Sequence, residues 1–313
     1  MLNIYKTNNG QVLEVDTIQE NTWIALTAPT EEELKQAAKE CQIDVDDLRA
    51  SLDVEESSRI EITDTYTLVL VDIPSKEIRN GNSAYTTIPL SIILKENMIL
   101  TVCIEDTLVL KPFSSGRAKE FSTTKKNRFI YQILYSNTSV YLNYLRKIDK
   151  AREAIEARLH QGTKNSDLME LHELESDLVY FATSLRVNGV VLDKLSRYER
   201  IKHYPEDQEL LSDVIIENQQ AIEMANIYKD VLNGTRELFA AVIDNTLNSV
   251  MKVLTSITVI MAIPTIISGF YGMNVNPAGI PFASETNGFL YEGILTTVIC
   301  IFAIIILKKK KLF

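Results

Sequence analysis

Between Val253 and Leu307 the chain carries no Lys or Arg and only two acids, Glu285 and Glu292. No other feature of the 313 residues restricts the possible folds as much. Two apolar runs lie inside this region. VLTSITVIMAIPTIISGF, Val253–Phe270, has no charge, and FLYEGILTTVICIFAIIIL, Phe289–Leu307, has one near its start. A helix that crosses the hydrocarbon core of a bilayer needs about 20 apolar residues. Both runs qualify, the first more narrowly. The alternative is a pair of buried core helices, but the second run is apolar on all faces, which suits lipid better. Lys308 to Lys311 follow the second run, Lys252 abuts the first, and the segment between them has no cation. Lys and Arg favour the cytoplasmic side. The sequence therefore predicts a multi-pass protein of the cell (inner) membrane, with both termini cytoplasmic and the connecting loop outside.

The rest of the chain divides by its periodicity. Residues 1–125 read as a cytosolic α/β domain. QVLEV, TWIAL, RIEIT, TYTLVLVDI, TIPLSIIL and MILTVC are short and rich in β-branched or aromatic residues, as strands are. APTEEELKQAAKEC reads as a helix opened by a capping box of Thr30 and Glu33, and DVDDLRASLD as another. Asn-Gly within SKEIRNGNSAY marks a hairpin turn. Residues 126–204 read as a cytosolic helical hairpin whose halves are joined by HQGTKN. After the break HYPEDQ, Pro205 suits a first helical turn, with Glu206 and Asp207 at its positive end. No further proline occurs before Pro264, so one helix is predicted over 205–271, roughly 100 Å long and projecting as a stalk. Its end, 253–271, is the first membrane span. Residues 272–288 form an external loop, 289–307 the second span and 308–313 a basic cytoplasmic tail.

A net charge of -10 and a pI near 5.0 argue against a nucleic-acid partner, which needs a basic footprint. They suit cation binding, and equally mere solubility. Cys41, Cys103 and Cys300 are far apart and odd in number, which points to inert thiols in a reducing compartment. With only His160, His172 and His203, a zinc site is hard to assemble. The N-terminal MLNIYKTNNGQVLEV has neither the basic nor the apolar region of a signal peptide. No catalytic constellation and no nucleotide-binding glycine loop occur, so neither an enzyme nor an organic cofactor is expected.

The first apolar run is interrupted by Thr255, Ser256, Thr258, Thr265, Ser268 and Gly269. Met251, Thr258, Thr265 and Gly272 recur every seven residues, and so do Asn248, Thr255, Ala262 and Gly269. Together they make a seam of small or hydroxyl-bearing residues. Such a seam serves close helix packing, or it lines a pore between several copies, since two spans per chain cannot enclose one. Stepping back by sevens from Met251 gives Asp244, Glu237, Asp230 and Glu223. These carboxylates are either a solvated face or, around an axis, stacked acidic rings that would repel unless cations sat among them. The seam ends in SGFYGMNVNPAGIPF, Ser268–Phe282, which reads as a turn between helices or as a site built from backbone and amide oxygens.

YGMN, Tyr271–Asn274, closes MKVLTSITVIMAIPTIISGFYGMN and precedes a second span with a Lys-rich tail. This arrangement resembles the CorA family of divalent-cation channels. SSRIE (Ser57–Glu61), TIPLSIIL (Thr87–Leu94) and LESDLVYFATSLR (Leu174–Arg186) are also similar to family segments, so the resemblance covers nearly the whole chain. It implies a funnel-shaped homopentamer in which one long helix per subunit lines the pore. It places the selectivity filter at Gly272, Met273 and Asn274, and pore positions at Asn248, Met251, Leu254 and Thr265. It puts one side of an inter-subunit metal-sensing site at Asp213 and an acidic stalk position at Glu237. Asp72 and Glu77 are candidates for the other side of the sensing site. Two departures stand out. The family's Met-Pro-Glu loop triplet is replaced by VNPAGIPFASE, whose one acid is Glu285, and a second methionine constriction is replaced by Ala262.

The resemblance implies magnesium as both the transported and the regulatory ion, with cobalt and nickel as possible further cargo. Magnesium holds its waters tightly and prefers octahedral oxygen. Asn274 amides around an axis would meet a hydrated ion through its shell, and Gly272 would allow the close turn that aims them. Thr265 would add a second oxygen ring, and Met251 and Leu254 an apolar constriction. The alternatives are a zinc transporter of the ZntB type and a membrane-anchored sensor that does not conduct.

Overall fold

The computed structural model describes residues 1–159, 165–198, 205–274, 276, 279–282 and 285–310. The loop HQGTKN up to Lys164, His160, His203, the residues Val275, Pro277 and Ala278 after the Gly-Met-Asn triplet, Ala283, Ser284 and Lys311 lie outside them. The chain forms two compact units, Met1–Arg236 and Glu237–Phe313.

The first unit is built on seven strands: β1 (Leu2–Asn8), β2 (Gln11–Glu14), β3 (Thr22–Thr27), β4 (Arg59–Ile62), β5 (Tyr66–Arg79), β6 (Asn82–Lys95) and β7 (Met98–Cys103). They make one mixed sheet in the order β2-β1-β3-β7-β6-β5-β4, in which only β3 and β7 run parallel. Two Asn-Gly pairs close two of its hairpins. Asn9 and Gly10 have φ of 49° and 78°, Asn80 and Gly81 have 52° and 82°, the double left-handed geometry that matches strand twist. The second pair is the predicted turn, but SKEI and NSAY on its flanks are strand, with Arg79 facing Asn82. The first pair and β1 were missed by the sequence reading, although the same dipeptide marks them. Pro74 and Pro89 lie within β5 and β6, where an absent N–H would break a ladder. Each sits just past the end of a neighbour: the β4 pairing stops at Leu70, and the β7 pairing stops at Leu90.

Alternation along the strands sends side chains to two cores. Trp23, Val71 and Ile73 pack with Phe129, Leu134 and Leu192 on one face, while Ile24, Leu68 and Leu100 pack with Leu34, Ala37 and Leu48 on the other. Helices α1 (Glu31–Cys41) and α2 (Val45–Arg49) cover the second face, with a 3-10 turn at Ala50–Leu52. The capping box forms as predicted: the Thr30 hydroxyl accepts from the Glu33 N–H at 3.2 Å, and the Glu33 carboxylate accepts from the Thr30 N–H at 2.8 Å. The short α3 (Lys111–Ser114) leads to α4 (Lys126–Leu159) and α5 (Asn165–Ser196), which cover the first face. Cys41 and Cys103 are buried in this unit, and burial pushes both thiols up to about 11, so they are inert near neutral pH.

A single helix, α6 (Pro205–Tyr271, 67 residues), begins in the first unit and ends in the second. The second unit consists of its C-terminal part, the described loop residues and α7 (Gly288–Lys309). α6 and α7 are both long and apolar enough to cross a membrane, and almost none of either apolar window is covered by the rest of the chain. That exposure removes the reading as buried core helices, because side chains such as Ile301, Phe302 and Ile305 have no cover within the chain.

Candidate functional site

α6 has two opposed faces within the first unit. Leu211, Val214, Asn218, Ala221, Ala225 and Leu232 are buried at alternating spacings of three, four and seven, so this stripe packs onto the unit's own core. At about 100° per residue, the positions of Glu223 and Asp230 fall nearly opposite that stripe. Both are exposed, as is Asp213 one step further round. Glu237 and Asp244 continue the seven-residue series and are exposed too. So are Asn248, Met251, Leu254, Thr258, Thr265 and Gly269, then Gly272, Met273 and Asn274 at the end of the helix. Every one of these positions is therefore on surface that the chain itself does not cover.

The carboxylates are not brought together. A seven-residue step on a helix is about 10 Å, too far for two neighbours in the series to share an ion. Among the described residues no group of three or more His, Cys, Asp or Glu is placed to hold a metal. Asp213, Asp230, Glu237 and Asp244 make no hydrogen bond or ion pair with a described residue, while Glu223 accepts from Gln219 Nε2 at 3.3 Å.

Asp72 faces the chain's own interior instead, while Glu77 is partly exposed. The Asp72 carbonyl accepts from Asn188 Nδ2 at 2.7 Å, Asn137 Nδ2 at 2.9 Å and the Tyr141 hydroxyl at 3.2 Å. Burial raises its carboxyl above the usual range, against hydrogen bonds from Ser184 and Ser58 that lower it. TIPLSIIL meets LESDLVYFATSLR through Ser184 and Thr87 at 3.0 Å, and SSRIE reaches Asn188, two residues past that segment, through Ser58 at 3.2 Å. Glu77 is paired with Arg79, which also reaches buried Asp177 at 3.1 Å.

In the membrane part of α6, hydroxyls turn back on their own helix. Thr258 donates to the Leu254 carbonyl at 2.8 Å and Thr265 to that of Met261 at 3.0 Å. Each donor is thereby used locally, and the oxygen lone pairs stay exposed as acceptors. The helix closes with Gly272 N–H on the Ser268 carbonyl at 2.9 Å and Met273 N–H on that of Phe270 at 3.3 Å. The Tyr271 hydroxyl ties this end to the loop at the Pro281 carbonyl, 2.7 Å away. The Asn274 amide makes no hydrogen bond with a described residue. Gly272 departs from expectation. Its φ is not positive, and an added Cβ would meet the Ser268 carbonyl at 3.4 Å, an ordinary contact. Within one chain the turn does not demand glycine.

Comparison with known proteins places this geometry. The model of the CorA-like Mg2+ transporter protein family matches residues 19–309. The chain belongs to the CorA family. The cobalt/magnesium transport protein CorA of Methanocaldococcus jannaschii is 31% identical over 297 residues, 90% of this chain and 89% of the relative. The complete structure of the CorA magnesium transporter from that organism superposes with a TM-score of 0.82 at 27% identity, over 98% of this chain and 96% of that one. The cytoplasmic domain of ZntB from Vibrio parahaemolyticus shares the fold alone, at 9% identity and a TM-score of 0.51 over 75% of this chain and 97% of that domain. As in other CorA proteins, an N-terminal α/β sheet domain is followed by a long helix and two C-terminal apolar helices.

Two contacts near the end of α6 are not legible in the sequence. Tyr271 was read only as part of YGMN, and its bond to the loop needed the fold to be visible. Cys300 was set aside as an inert thiol, yet its Sγ lies 4.0 Å from the Ile260 carbonyl. Pro264 was a usable signal, since a helical proline leaves the carbonyl four residues earlier without its backbone donor.

Proposed function

We propose that this CorA protein is a magnesium influx channel of the inner membrane, built as a homopentamer with both termini cytoplasmic, that passes hydrated divalent cations down their gradient. One observation carries the reading. A single helix carries exposed positions in sequence from carboxylates through small and hydroxyl-bearing residues to an asparagine amide with no described partner. Five such faces around an axis would enclose a path with acceptors at every level. Magnesium dehydrates reluctantly, and side chains that accept from its waters suit it better than side chains that replace them. The free Thr258 and Thr265 lone pairs and the Asn274 carbonyl provide such acceptors. Asn248 would add another, and Gly269 leaves room for the ion's shell. The name of the M. jannaschii relative supports magnesium, with cobalt as a second cargo. Zinc has no observation of its own here, because the likeness to ZntB is one of fold.

Met251 and Leu254 are exposed by 65% and 63% in the single chain. Gathered about an axis they would form an apolar constriction that closes by dewetting. Asp213, with the carboxylates at Glu223, Asp230, Glu237 and Asp244, would hold magnesium between copies when the cell is replete. Loss of that ion leaves like charges at an interface and favours opening. The external loop, with Glu285 its one acid, would gather cations weakly by charge, so the Asn274 ring carries the capture.

Purified protein in liposomes tests the whole proposal, with initial Mg2+ influx read by a trapped indicator. Asn274→Ala should lower influx by about 10-fold or more, the scale of losing a shared polar contact at every subunit. Full influx by that variant sinks the filter assignment. Asp213→Ala should leave influx intact but weaken its inhibition by internal Mg2+, and unchanged inhibition removes Asp213 from the sensing role.

A further inference from the structure

We propose that Cys300 is a positioning residue for the ion pathway, holding the proline break in α6 in place from α7. The inference rests on the transport reading above. Proline has no N–H, and its ring stands against the carbonyl of the residue four positions earlier. For Pro264 that residue is Ile260. Inside a bilayer bulk water is not at hand to satisfy such a carbonyl, and a donor from a neighbouring helix is one way to do so. Cys300 Sγ on α7 lies 4.0 Å from the Ile260 oxygen, within the longer reach of a sulfur donor, and the contact is partly buried. Thr258, Thr265 and Thr297 each return to the carbonyl four residues earlier and Ser268 to the one three earlier, while the Tyr271 hydroxyl goes to the loop carbonyl of Pro281. The thiol is thus a side-chain donor that crosses from one span to the other, and it lands on the carbonyl that the proline frees.

The consequence concerns the pathway. Thr258 and Thr265 lie on either side of Pro264, so a bend there would set how their oxygens line up along α6. A helix opened at one carbonyl can bend by varying amounts. The thiol bond from α7 selects one of them, and the second span thereby does more than face lipid.

A four-variant cycle tests this: wild type, Cys300→Val, Pro264→Ala, and the two combined. If the thiol acts through the freed carbonyl, restoring the N–H at position 264 makes Cys300 dispensable. Cys300→Val should lower initial Mg2+ influx into liposomes about threefold, equivalent to roughly 0.6 kcal/mol for an interhelical hydrogen bond in a membrane. In the Pro264→Ala background the same change should have no effect. Cys300→Ser keeps a donor and should keep influx near wild type. Equal losses in both backgrounds, or a serine variant as poor as the valine one, overturn the proposal. The melting temperatures of the four proteins in detergent give the same cycle without transport, so an inactive Pro264→Ala protein still decides the matter. A wild type with no influx would count against the transport reading, while the thermal cycle would still judge the contact.

Discussion

The two units handle their polar groups in opposite ways. In Met1–Arg236 several buried polar side chains find partners inside the chain: Trp23 Nε1 donates to Thr101 Oγ1 at 2.9 Å, Asn188 and Asn137 meet the Asp72 carbonyl, and Asp177 meets Arg79. In Glu237–Phe313 the Thr258, Thr265 and Thr297 hydroxyls bond backward along their own helices, and most of the large apolar side chains are uncovered. The difference separates what holds the fold from what is offered to ions, lipid and other copies. Substitutions of the buried residues of the first unit should mainly change stability. Substitutions on the uncovered face of the second should mainly change transport.

Trp23 is the one tryptophan in the chain and lies in the sheet core, so its fluorescence reports unfolding of the first unit alone. The largest effect should follow Phe129→Ala. Phe129 is fully buried against Trp23, Phe113 and Phe121, with its ring centroid 5.2 Å from that of Trp23. Its removal should destabilise the unit by about 3–5 kcal/mol, while the protein that remains folded transports normally. A large loss of influx per folded molecule would break the division between the units.

Next comes the Asp177 pair. Burial raises this carboxyl to about 6, against the lowering effect of the Tyr85 N–H and of Arg79. The folded state therefore binds a proton more tightly than the unfolded state does. The contribution of this group is fully present below the ordinary carboxylate range and is lost as pH rises towards about 6. Asp177→Asn should flatten that fall between pH 4 and pH 6 in denaturant titrations followed by Trp23. Arg79→Ala leaves a buried carboxylate unpaired and should destabilise by about 3 kcal/mol at neutral pH, less in acid, where the carboxyl takes a proton. An equal loss at both pH values would mean that packing of the Arg79 stem, not charge, is what matters.

A smaller effect, about 1 kcal/mol, should follow Thr30→Ala, which removes the α1 cap without touching either core. Smallest of all for folding, Asp230→Asn should leave the Trp23 transition unmoved, because Asp230 has no partner among the described residues. A clear shift there would show that the acidic stripe belongs to the fold after all.

The amino-acid sequence by itself determined a good deal. The lack of cations between Val253 and Leu307 set two spans, since a charge in hydrocarbon is costly and its absence shows in any window. Proline and capping chemistry set the start of α6 and of α1, because those signals act within a single turn. Asn248, Thr258, Thr265 and the four carboxylates were found by counting sevens, which works over a few turns because a straight helix drifts by only about 20° per heptad. Only the tertiary structure decided which side of α6 is free: the stripe from Leu211 to Leu232 is buried by strands and helices far away in sequence, and the acidic side is what they leave. The inward placement of Asp72 and the meeting of Cys300 with Ile260 were likewise decided there. Each contact joins residues tens of positions apart, and such contacts arise from packing, which no local pattern encodes.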